Sequence, residues 1–120
     1  TGLVLFQQTH LTADGAPRII TITNPVNGEG ASGSLRVTGE VTITPFENNL
    51  TYIFFDAQNH ELQRGPFAVS ASDMGQPGTF DNTLDLSALS TGQTVRLELH
   101  EVSMADGSTL AMAAVEIVLK

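Results

Sequence analysis

The chain has no cysteine, no tryptophan, one tyrosine and only five basic residues. Without cysteine it can form neither a disulfide framework nor a thiolate zinc site, and this absence leaves the compartment open. The five bases, Arg18, Arg36, Arg64, Arg96 and Lys120, are scattered, against 13 acids and a net charge of −8. No basic stripe exists to neutralise phosphates, so neither nucleic acid nor an anionic lipid surface is expected as a partner. The acidity is read as a solubility feature. No run approaches the ~20 apolar residues of a membrane-spanning helix. No basic start precedes an apolar stretch, so no signal peptide is read in the sequence.

What is present is a patterned, apolar, weakly charged chain. Of its 120 residues 41 % are hydrophobic and 15 % charged, with 11 glycines and 5 prolines set as punctuation between apolar runs. That length suits one domain with its own core. Arg18 to Thr23 predicts a strand with Ile20 and Ile22 on one face, ended by Asn24-Pro25. Asn27 to Gly33 reads as a glycine-rich loop. Leu35, Val37, Gly39 and Val41 alternate with Arg36, Thr38 and Glu40, the mark of a half-buried antiparallel strand. Asn49 to Ala57 is apolar on both faces (Leu50, Tyr52, Phe54 against Ile53, Phe55) and is expected at the centre of a sheet. Asp56 to His60 is a hairpin turn, with Asn59 the residue suited to positive φ. Glu61 to Ser72, interrupted by Gly65-Pro66, is expected at an edge or with a bulge. Thr79 to Leu86 alternates again. Ser87 to Gly92 predicts one short helical turn. Val95, Leu97 and Leu99 face inward. Asp106-Gly107 is a hairpin signal. Ala111, Ala113, Val115, Ile117 and Leu119 stay in phase along the last strand. No window keeps helical periodicity. The expected fold is an all-β sandwich of about seven antiparallel strands, with an N-terminal strand added.

Several residues recur in a familiar order. Ile20-Thr21-Ile22 is followed by Asn24-Pro25-x-x-Gly28, Ser34-Leu35-x-Val37-x-Gly39, Phe46-Glu47, Leu50-x-Tyr52 and Asp56. Gly78-x-Phe80 and Ala105-Asp106-Gly107-Ser108 come later. Over roughly residues 18–119 this order resembles the immunoglobulin-like domain of bacterial spore germination. The chain departs from that pattern at Ser34, where the family tends to proline, at Asn59-His60, where it tends to glycine, and in lacking tryptophan. The resemblance implies an immunoglobulin-like sandwich, an extracytoplasmic address on a bacterial envelope or secreted protein, and a non-catalytic role. It supplies no catalytic residues.

The chemical motifs are weak. Gly28-Glu29-Gly30-Ala31-Ser32-Gly33 spells a dinucleotide fingerprint, but a strand follows where a helix is needed, and Glu29 would face the phosphates. His10, His60 and His100 lie on separate segments without ligand spacing. Asp73, Asp81, Asp85 and Asp106 are oxygen ligands of the kind calcium takes, but no loop pattern gathers them. No nucleophile elbow singles out a serine. Neither an enzyme nor a cofactor is expected. Asn49-Leu50-Thr51 matches a glycosylation sequon that matters only in a eukaryotic secretory route. Glu101 falls in phase with the inward set, so the strand is expected to bulge or leave the core there.

Residues 1–16 are read as an N-terminal segment and linker, and 17–120 as the immunoglobulin-like domain. Within the segment, Gly2 to Leu11 is expected to pair as an edge strand, in its own domain or exchanged with a second copy to give a homodimer. The expected role is a protein-interaction module with a partner in the envelope. It would act through a sheet edge or the loops at 26–33, 45–49 and 73–79, with Asn27, Glu29, Phe46 and Glu47 as the candidate surface. The rival is a module binding cell-wall or extracellular glycan, which needs exposed aromatic platforms. A third reading is a structural spacer.

Overall fold

The computed structural model describes residues 7–11, 17–43, 48–71, 76–102, 107 and 109–120, with side chains from residue 19 onward. Ten strands follow one another: β1 (Gln7–Leu11), β2 (Pro17–Arg18), β3 (Ile20–Asn24), β4 (Glu29–Ala31), β5 (Ser34–Val41), β6 (Asn49–Phe55), β7 (Glu61–Ala68), β8 (Gly78–Asp85), β9 (Thr94–Val102) and β10 (Thr109–Leu119). No helix forms among the described residues. The larger sheet runs β2-β1-β10-β9-β6-β7, with β4 also on β10, and the smaller runs β3-β5-β8. The seven strands read from alternation are β3 and β5 to β10, and β1 is the added N-terminal strand.

Alternation decides which face each strand buries. Leu35, Val37 and Val41 of β5 and Phe80 and Leu84 of β8 point inward from the smaller sheet. They meet Leu50 and Phe54 of β6, Val95, Leu97 and Leu99 of β9, and Val115 and Ile117 of β10. Phe67 and Phe80 pack edge to face across the layers, with ring centroids 5.1 Å apart. That geometry suits the charge distribution of aromatic rings. β6 lies between β9 and β7, as its two apolar faces predict. β7 is an edge strand, and Pro66 sits in it where a missing N–H disturbs the sheet least.

Two features close the sides of the sandwich. On one side the chain leaves the smaller sheet at the cis Asn24–Pro25 peptide and enters the larger as β4. On the other, β7 and β8 are stitched together. Asn82 Nδ2 donates to the Ala68 carbonyl (2.8 Å), Gln63 Nε2 donates to the Asp85 carbonyl (3.0 Å), and Ser70 and Thr79 exchange backbone hydrogen bonds.

Three expectations are corrected. Residues 27–33 are not wholly loop, because Glu29–Ala31 forms β4. It runs parallel to β10, Ile117 opposite Glu29 and Leu119 opposite Ala31, so not every pair is antiparallel. Ser87 to Gly92 holds a turn closed by Leu89 N to Leu86 O (2.9 Å) rather than a helical turn. Glu101 stays in β9 and is 5 % exposed. The register shift lies on the opposite strand, between Thr109 and Ala111.

Candidate functional site

The loop residues singled out by sequence serve the fold. Asn27 Oδ1 accepts a hydrogen bond from Glu116 N (2.9 Å), and Gly28 N donates to Glu116 O (2.8 Å). Glu29 is half-buried, and its Oε1 accepts from Val26 N at 3.4 Å. Gly28 and Gly33 hold φ of 83° and 78°, values that favour glycine, and between them the fingerprint-like segment runs as a strand. Asn27 and Glu29 are thus brought together beside β10. Phe46 and Glu47 lie outside the described residues.

The outward face of the larger sheet carries a different arrangement. Cross-strand register sets Met112 beside His100 and Thr51, Ala114 beside Glu98 and Ile53, and Glu116 beside Arg96 and Phe55. Arg96 Nε donates to Glu98 Oε2 (2.6 Å), Arg96 Nη1 donates to Asn59 Oδ1 (3.0 Å), and the guanidinium stands 4.9 Å from the centroid of the Phe55 ring. His100 Nε2 lies 2.8 Å from Glu98 Oε1. Burial works against the charge on Glu98, but the bonds from His100 and Arg96 outweigh it and hold the carboxyl below its ordinary range. Ile53 is 7 % exposed and Ala114 is fully buried, although both point away from the sandwich core. This face is an apolar floor crossed by a charged chain. Sequence reading missed it as a site. The signal was there in the second apolar face of Asn49 to Ala57 and in the unbroken run Leu110 to Val115.

The smaller sheet's outward face is hydrophilic throughout. Arg36 pairs with Asp81 through two hydrogen bonds (2.9 and 2.6 Å), which hold the carboxyl low, among Thr21, Thr38, Glu40 and Thr83. Among the described residues no group of three or more metal-ligating side chains stands close enough to hold an ion. His60 belongs to its turn, 3.2 Å from Asp56, and His100 to the charged chain. Asp85 Oδ1 accepts from Ser87 N (2.9 Å). Asp73 and Asp106 lie outside the described residues. Asn49 Oδ1, in the sequon, accepts from Phe67 N (3.0 Å).

No curated protein sequence matches the chain. A family profile does match, over residues 19–108, from β3 through β9 and beyond, and the all-β sandwich of two sheets is consistent with its description. The chain belongs to the family described as the immunoglobulin-like domain of bacterial spore germination.

Proposed function

We propose that this domain is a non-catalytic protein-interaction module of a bacterial cell-envelope or secreted protein, working outside the cytoplasm and docking an envelope protein on the outward face of its larger sheet. One observation carries the reading, the unlikeness of the two outward faces. A solvated antiparallel face is ordinarily polar. The smaller sheet obeys this with Thr21, Thr38, Glu40, Asp81, Thr83 and Asp85. The larger sheet instead sets half-buried Phe55 and Val118 and exposed Val102 among Arg96, Glu98 and His100, over Ile53, Met112 and Ala114, which are already covered. Apolar area beside an aromatic ring and an arginine is a composition enriched in protein interfaces. The family description supports a germination-related setting, and the envelope address comes with that resemblance.

The glycan reading gains no support, since none of the aromatic side chains described is exposed. The test is a photo-crosslinking pair in envelope extract. A benzophenone side chain replaces Thr94, exposed on the larger sheet's outward face, or Thr83, on the opposite face. Protein adducts from position 94 and not from 83 are expected. Equal adducts from both, or sedimentation of the domain with cell-wall glycan, would sink the reading.

A further inference from the structure

The outer edge of β10 is shared by two short segments from the start of the chain. β4 takes its far half, through residues 29–31 and 117–119. β1 takes its near half, with Gln7 opposite Ala113, Gln8 opposite Met112 and Thr9 opposite Ala111. The near half is a preformed slot, because Ala111 to Ala113 are already fixed by pairing with Leu99, His100 and Glu101 on the other side. Among the described residues its occupant makes three residue pairs on β10 and two more, His10 with Arg18 and Leu11 with Pro17, on β2. β1 also falls outside residues 19–108, the span that matches the family. Residues 12–16, between β1 and β2, lie outside the described residues; their sequence, Thr-Ala-Asp-Gly-Ala, is of turn or linker type.

We propose that this slot is a strand-exchange site whose occupant in the associated state is Gln7–Leu11 of a second copy of the chain, giving a reciprocal dimer. A second copy brings the same strand in the same register, so every backbone partner of β10 is kept. An unfilled slot would leave bare backbone at a sheet edge, which favours refilling by an identical strand over vacancy. The proposal stands on the β10 edge and does not depend on the docking face above.

The chain has no cysteine, so an introduced pair is unambiguous. In the full chain, Gln8→Cys with Met112→Cys places thiols on Cα partners. Heavy-isotope and ordinary copies are mixed at high concentration, incubated, oxidised and digested. Peptides linking position 8 of one isotope to position 112 of the other are expected, rising with concentration. Links confined to one isotope at every concentration would overturn the proposal. A second measurement needs no thiols: light scattering of the unmodified chain and of Thr9→Pro, which removes a donor in β1. The expected result is a dimer fraction that grows with concentration in the first and is lost in the second. A chain that is monomeric throughout, or a dimer that survives Thr9→Pro, would overturn it.

Discussion

Phe80 lies against Gly39 where a β-carbon would otherwise stand. The two are Cα partners across β5 and β8, and a methyl built on Gly39 would sit 2.6 Å from Phe80 Cζ and against the carbonyl oxygen of Thr21. The glycine is therefore a matter of space, and the ring fills it. Gly39→Ala is expected to destabilise by about 3 kcal/mol, the upper end for overpacking, since one obstacle is backbone and cannot rotate away. Urea unfolding would measure it. Adding Phe80→Leu should recover only part of the loss, because the Thr21 carbonyl remains.

Asn27 fastens the start of β4 to β10 through Glu116 N. Asn27→Ala leaves that N–H to water and is expected to cost about 1 kcal/mol. Hydrogen exchange should read the change locally, with faster exchange at Glu116 and along residues 117–119 and unchanged protection in β5.

Asp56 closes the β6–β7 turn. Its carboxylate accepts from His60 N and Gln58 N (both 2.9 Å), and these bonds, with that to His60 the stronger, hold its pKa below the ordinary value. A depressed carboxylate contributes stability that is full above the unfolded value, near pH ~4, and is lost as pH falls through the folded one. Asp56→Asn should therefore lower the melting temperature at pH 7. The gap from the parent chain should close as both are taken well below pH 4. A gap that stays constant with pH would show that charge plays no part.

Arg96 ties Glu98, Asn59 and Phe55 into one surface. Arg96→Ala is expected to cost about 1–2 kcal/mol, from the lost hydrogen bonds to a carboxylate and the lost cation–π contact. Arg96→Lys should recover less than half, since an ammonium cannot lie flat on the ring and reach both oxygen acceptors. Thermal melts of the three proteins would decide this, with the Glu98 carboxyl moving upward in an NMR titration of either variant.

Much of the scaffold was legible because each main strand carries its own pattern. Val95, Leu97 and Leu99 point inward by alternation alone, and Asn59 takes φ of 65° as its turn chemistry predicts. β4 was not legible. Three residues of Glu-Gly-Ala have no period, and only the waiting edge of β10 makes them a strand. Glu101 shows the converse, where phase gave its inward position and the expectation that the strand would yield there was wrong. Of the candidate site, Asn27 was visible as a loop residue, but its bond joins positions 89 apart in sequence, which no local pattern reveals. The apolar outward face was visible only as the second face of a strand and was read as a sign of centrality.

The shared edge of β10 also bears on how the chain is made. A ribosome releases residues in order, and β10 emerges last of the ten strands. The segments that flank it, residues 7–9 and 29–31, emerge well before it. Until residue 119 is clear of the exit tunnel these early segments have no partner, and contacts so distant in sequence form slowly. The smaller sheet, complete by residue 85, can assemble earlier. The nascent domain is thus half-built for as long as some thirty further residues take, at roughly 5–20 residues per second. During that interval it carries an open flank on which a chaperone or a neighbouring nascent copy can act.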